Sequence, residues 1–213
     1  MNLIRTFIAA ELPGELLQTL GKLQRTLRDA PGGRAVNWVR SEAIHLTFKF
    51  LGDVPQDALP LVFAGIEQVC AKQPPFVVQV SGLGCFPNSV RPRVVWLGLQ
   101  DEHQEMQHMK QALENELASS GFSREDRAFQ PHLTLGRVRS SALSSEVEIL
   151  GRSIASYESA VLGQINVSQL SAISSTLSSG GGIYRILYQA PLVDQRKPSG
   201  DVEDAASKQQ ESA

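Results

Sequence analysis

His45-Leu46-Thr47-Phe48 and His132-Leu133-Thr134-Leu135 are two copies of one pattern, 87 residues apart. In an extended strand successive side chains alternate between faces, so each histidine and the threonine two residues on project from the same face while the leucine between them points the other way. One such tetrapeptide carries little information. Two copies in similar surroundings predict a duplicated lobe that brings two imidazoles to one central site.

Working outward from these strands, the same order of elements recurs. Residues 3–10 read as a strand, and Pro13 then opens a helix in which Leu16, Leu17, Leu20, Leu23 and Leu27 follow helical spacing until Pro31-Gly32-Gly33 ends it. The first His-x-Thr strand covers residues 44–51, Gly52-Asp53 turns the chain, and Leu59, Phe63, Ile66 and Cys70 mark one side of a second helix before a strand at 76–80. A strand at 94–99, a helix with Met106, Met109, Leu113 and Leu117 inward, and the second His-x-Thr strand at 132–138 repeat the order. A helix near 144–155 and strands around 160–174 and 183–190 complete it. Strand, helix, strand, helix, strand thus occurs twice, which predicts a duplicated α+β architecture in one domain over residues 1–193. From Asp194 onward the chain consists of Lys, Pro, Ser, Gly, Asp, Glu and Gln with almost no large apolar residue. Residues 194–213 are therefore expected to be a disordered tail, because such a composition cannot offset its ordering entropy by burial.

Composition limits the function classes. With 213 residues, 42% of them hydrophobic, the chain is long enough for a sizeable core and reads as soluble and globular. No apolar run approaches the ~20 residues that span a bilayer, and the start lacks a basic segment followed by an apolar core, so a cytoplasmic protein without membrane association is expected. The two cysteines, Cys70 and Cys85, have neither a C-x-x-C spacing nor the density of a disulfide scaffold, and Cys70 is expected inside a helix. A net charge of −2 argues against coating nucleic acid by bulk electrostatics, yet leaves room for a local basic cleft. Nothing in the sequence calls for a protein partner.

The paired motif suits acid–base chemistry. Imidazole titrates near neutrality, so one histidine can take a proton from water while the other, protonated, gives one to a leaving oxygen. Thr47 and Thr134 read either as plain β-branched strand formers or as hydroxyls that, beside each imidazole, can donate to a phosphate oxygen. Zinc fits less well: catalytic sites use three protein ligands and structural sites four, H-E-x-x-H is absent, and no Asp, Glu or Cys stands at ligand spacing. No metal and no cofactor is expected. His103 and His108, five apart on a predicted helix rich in Glu and Gln, are expected to face solvent. There is no G-x-x-x-x-G-K-[ST] loop, and Gly180-Gly181-Gly182 reads as a turn before a strand.

At these residues the chain resembles the 2H phosphoesterase superfamily, named for its paired His-x-Thr motifs, and within it the bacterial and archaeal RNA 2′,3′-cyclic phosphodiesterases, also called 2′-5′ RNA ligases. Arg5-Thr6-Phe7-Ile8-Ala9, Trp38-Val39-Arg40, His45 through Gly52, Arg93 through Gly98, Pro131 through Val138 and Ser175-Thr176-Leu177 are similar to family blocks in the same order. The resemblance implies a bilobal fold with pseudo-two-fold symmetry, in which two antiparallel sheets flanked by helices enclose a central cleft lined by both motifs. It implies hydrolysis of an RNA-terminal 2′,3′-cyclic phosphate to a 2′-phosphomonoester, with 2′-5′ ligation as the reverse. Carried onto this chain, His45 is the proton donor, His132 the acceptor, and Thr47 and Thr134 hold the phosphate.

Four further residues are weighed beside these. Arg137 has the charge to stabilise a phosphoryl group, although strict alternation places it opposite His132, where solvent or a salt bridge would occupy it. Phe48 alternates away from His45 into the core. Phe7, read as an edge-strand aromatic, and Arg127, on a loop, are candidates to line the cleft. Two alternative functions stay open: a cyclic phosphodiesterase of small nucleotides, and a non-catalytic RNA or nucleotide binder whose histidines clamp phosphate. Retention of both His and Thr pairs speaks against the binder, since lysine or arginine would serve binding better.

Overall fold

The computed structural model describes residues 2–158, 160–178 and 181–194, so apart from Asp194 the expected tail lies outside the described residues. Nine strands and four helices follow one another as β1 (Leu3–Ala10), α1 (Gly14–Asp29), β2 (Val36–Trp38), β3 (Leu46–Pro55), α2 (Leu59–Cys70), β4 (Phe76–Phe86), β5 (Val94–Gln100), α3 (Glu105–Ser119), β6 (His132–Val138), α4 (Ser144–Ala155), β7 (Gly163–Val167), β8 (Gln169–Ser178) and β9 (Gly181–Pro191) among the described residues. They build two antiparallel sheets, one in the order β3-β1-β8-β9 and one in the order β2-β6-β5-β4-β7. Among the described residues no helix is long and apolar enough to cross a membrane.

The two sheets are the expected lobes, but neither is a contiguous half of the chain. β4, which closes the first sequence repeat, pairs with β5 in the second sheet, and β8, from the second repeat, pairs with β1 in the first. Helices cross over in the same way. α1, which follows β1, packs against β2 and β7, while α3, which follows β5, packs against β3 and α2. Each sheet is therefore covered by one helix from each repeat, α2 and α3 on the first, α1 and α4 on the second. A stripe read along one helix says that it is covered, but not by which sheet.

Within these lobes the local readings hold with small shifts. α1 buries Leu16, Leu20, Leu23 and Leu27, and α3 buries Met106, Met109, Leu113 and Leu117. In α2 the core side carries Val62 rather than Phe63, whose ring instead stacks on Tyr188 with centroids 4.9 Å apart, while Cys70 ends the helix fully buried. The single strand expected around 160–174 is two strands, β7 and β8, because the chain leaves one sheet and enters the other between them. Gly181 and Gly182 belong to β9 rather than to a turn, and Gly180 lies outside the described residues. His108 is on α3 and His103 in the turn before it, both exposed.

Candidate active site

Each His-x-Thr tripeptide is oriented by the leucine between its histidine and its threonine. Leu46 and Leu133 are fully buried, and complete burial of a leucine side chain contributes roughly 1.5–3 kcal/mol. A one-residue slip would move each leucine out of the core, so the register that turns His45, Thr47, His132 and Thr134 to the opposite face is strongly specified. Those four side chains line one cleft of about 620 Å³ between the two sheets, within the roughly 300–1,000 Å³ typical of small-molecule sites.

Past each threonine the alternation breaks. Thr134 stands opposite Trp96 and Gly136 opposite Val95, which leaves Leu135 as an extra residue in β6. Phe48, in the equivalent position of β3, is skipped between Thr47, opposite Ala9, and Lys49, opposite Ile8. A bulge of this kind sets two successive residues on one side and re-aims those that follow. Arg137 is thereby returned to the cleft, against the reading from strict alternation, and Phe50 occupies the matching place on β3. Phe48 is in the core as expected, at 1% exposure. Gln24 of α1 attends to the bulge in β6, its amide donating to the carbonyls of Leu135 (2.9 Å) and Val39 (2.7 Å).

The bulge in β3 has a charged counterpart. Lys49, with no exposed side-chain surface, pairs with Glu114 of α3 at 2.7 Å and donates to the carbonyl of Ser123 at 2.9 Å. Glu114 also pairs with Lys110 at 2.6 Å, and Lys110 in turn contacts Glu125 and lies 5.9 Å from the centroid of the Phe129 ring. The network ties the strand of His45 to the loop over residues 120–131, which delivers Arg127 to the cleft and leads into His132. Nothing in the sequence pattern announces it. On parity alone Lys49 shares the cleft face with His45 and Thr47.

Both imidazoles are held alike. The Nδ1 of His45 is 2.9 Å from the carbonyl of Ala43, and that of His132 is 2.7 Å from the carbonyl of Gln130. A carbonyl only accepts, so each Nδ1 carries the proton, and each Nε2 is the nitrogen that can accept one. Phe7 stacks on His45 at 4.6 Å with 25° between planes, and Tyr184 meets the same ring edge-on at 5.2 Å. Phe7 is on β1, an internal strand rather than an edge. Phe86 sets an edge against His132 at 4.9 Å. Three site residues were not legible: Phe86, because β4 reads as ending at Val80 and runs on past a register shift between Val80 and Leu83, Phe50, because the bulge in β3 re-aims it, and Tyr184, because pairing of β9 with β8 places it.

Burial pushes the His45 imidazole down to about 4 from an ordinary 6.5, only partly opposed by its bond to Ala43. Between those values the unfolded chain binds a proton that the folded chain refuses, so stability is complete above about 6.5 and falls as the pH drops toward 4. His45→Gln is expected to flatten that part of the stability curve, read from urea unfolding midpoints at a series of pH values. An unchanged slope would mean that the ring is hydrated rather than buried. A phosphate anion in the cleft acts in the opposite direction, because a neighbouring negative charge favours the imidazolium.

The LigT-like phosphoesterase profile matches this sequence twice in succession, over residues 11–96 and 97–184. The chain belongs to that family. Each match contains one His-x-Thr strand, so the duplication seen in the sequence is the family unit itself. Among relatives of this LigT-like chain, a Thermotoga maritima protein named RNA 2′,3′-cyclic phosphodiesterase is 33% identical over 87% of this chain and 94% of its own length. One of the same name from Methanothermobacter thermautotrophicus is 32% identical over 85% and 95%. A Thermus thermophilus crystal structure superposes with a TM-score of 0.72 at 25% identity, covering 88% of this chain and 97% of that one. Escherichia coli LigT complexed with 3′-AMP gives 0.69 at 24%, over 90% and 99%, a likeness of fold. Among the described residues no three His, Cys, Asp or Glu side chains are grouped as metal ligands.

Proposed function

We propose that this LigT-like chain is a cytoplasmic RNA 2′,3′-cyclic phosphodiesterase that opens a terminal cyclic phosphate to a 2′-phosphomonoester by two-histidine acid–base catalysis. The observation that carries the reading is the convergence of both imidazoles and both threonines on one cleft. The name shared by relatives aligned over most of their length supports the substrate.

Water attacks phosphorus as the Nε2 of His132 takes its proton. The P–O3′ bond breaks, and the departing oxygen takes the proton on the Nε2 of His45, leaving a 2′-phosphate and a 3′-hydroxyl. Thr47 and Thr134 donate hydrogen bonds to the non-bridging oxygens, and Arg137 with Arg127 offsets their charge. Phe7 keeps the His45 ring in place. Two imidazoles and two hydroxyls supply proton transfer and phosphate contact without a metal or cofactor. With a 5′-hydroxyl in place of water as the nucleophile, and acid and base in the same roles, the same groups would break the P–O3′ bond and leave a 2′-5′ diester with a 3′-hydroxyl.

The test is incubation of the pure protein with an oligoribonucleotide ending in a 2′,3′-cyclic phosphate, with the product isomer identified by phosphorus NMR. The expected product is the 2′-phosphate, formed equally well in the presence of a chelator. A 3′-phosphate product, or activity lost to the chelator and restored only by added metal, would overturn the mechanism.

A further inference from the structure

We propose that the end of the five-stranded sheet beside His132 is a track for the RNA backbone 5′ of the reacting nucleotide. This rests on the cyclic-phosphodiesterase reading and narrows its substrate class to an RNA chain in preference to a free cyclic nucleotide.

Three separate stretches, residues 30–41, 86–100 and 127–145, together contain seven arginines and no Asp or Glu. The whole chain has a net charge of −2, so these stretches carry +7 while the remainder carries −9. The fold brings them together. The amide of Val138 donates to the carbonyl of Arg93 at 2.9 Å, and that of Arg139 donates to Ala35 at 2.8 Å. Asn37 and Val94 flank Arg137 in the sheet register. Arg34, Arg93 and Arg139 thus emerge at one end of β2, β5 and β6, with Arg91 just before them on the connection from β4.

All four are exposed, and among the described residues none is in an ion pair. A solvated protein face ordinarily mixes signs. α4, which packs here against Gly32 and Pro92, brings Glu146 and Glu148, but these are engaged by the amide of Leu143 and by Arg152. The four arginines therefore keep their charge for a ligand, in the side chain best suited to phosphate oxygens. None of the four lines the cleft, yet Arg137, their neighbour in the sheet, does. A cyclic mononucleotide fills the cleft and ends there, whereas a strand leaving it on the Arg137 side meets further guanidinium groups spaced at strand separations of about 5 Å.

The experiment compares kcat/KM for a short oligoribonucleotide and a mononucleotide, both ending in 2′,3′-cyclic phosphate, over a range of salt. It is run on the parent protein and on Arg91→Gln/Arg93→Gln/Arg139→Gln. The parent is expected to favour the oligonucleotide by tenfold or more, and the triple variant to lose about tenfold on it while keeping its rate on the mononucleotide. The slope of log kcat/KM against log salt should fall by about 2, since each single-strand phosphate contact contributes roughly 0.7. Equal parent rates on both substrates, or equal losses on both in the variant, would overturn the track. If the parent turns over neither, the phosphodiesterase reading fails instead. Fluorescence anisotropy with a labelled oligoribonucleotide then decides the track: salt-sensitive binding weakened in the variant supports it, and identical binding overturns it.

Discussion

His45→Ala is expected to lose about 10²- to 10⁴-fold in kcat/KM on an RNA-terminal cyclic phosphate, and to regain most of that loss, relative to the parent, on a phosphodiester with a nitrophenol leaving group. A general acid matters only while the departing oxygen needs its proton. A ribose hydroxyl does, and a nitrophenolate is stable without one. His132→Ala should fall by a similar factor on both substrates, because the attacking water lacks its base in either case. Each loss corresponds to about 3–5 kcal/mol of transition-state stabilisation. Both Nδ1 atoms are fixed on carbonyls in the same way, so the hydrogen-bonding geometry alone treats the two rings as equals. Burial by itself favours the neutral form of His45, which suits a base better than an acid. Its role as donor therefore depends on the phosphate charge raising it when substrate binds. Rescue of His132→Ala in place of His45→Ala would reverse the two roles, and equal rescue of both would remove the division of labour altogether.

Glu114→Ala is expected to destabilise the protein by about 3–5 kcal/mol, measured by urea unfolding, because it leaves the fully buried ammonium of Lys49 without a carboxylate. Lys110 would keep only Glu125, whose side chain is 32% exposed. Lys49→Met/Glu114→Leu, which removes both buried charges at once, should recover a large part of the loss, since apolar residues of similar volume often replace a buried ion pair at little cost. Burial by itself would raise the carboxyl of Glu114, but hydrogen bonds and charge from Lys110 and Lys49 outweigh it and hold the group below the ordinary carboxylate value. Its contribution is then complete above that value and is lost as the pH falls through the lowered one. Glu114→Gln should accordingly show a shallower acid limb than the parent. A loss below about 0.5 kcal/mol in Glu114→Ala would mean that the lysines find water, and that the network does not hold the loop carrying Arg127.

Much of the site was open to reading from the chain alone because its signals are local. His-x-Thr is a parity statement, and Leu46 and Leu133, fully buried, uphold it. The four helices follow from apolar spacing, and the bounds expected for the last one, 144–155, are those of α4. Finding the paired histidines and their threonines needed only the period of a strand and the fact of repetition.

What the sequence by itself determined, then, is which side chains share a face and how often the unit repeats, since both depend on neighbours a few residues away along the chain. Tertiary structure decided which face covers which. It exchanged α1 and α3 between lobes, and it sent β4 and β8 into the opposite sheets. It also placed a bulge after each threonine. That one extra residue moved Arg137 into the cleft and turned Lys49 inward to Glu114, where strict alternation assigns each the opposite side. A bulge is a mismatch between two strands, and its partner residues lie tens of positions away, so no periodicity along a single strand can record it. The aromatic neighbours of the imidazoles, Tyr184 and Phe86, are set in the same way by pairing across distant segments.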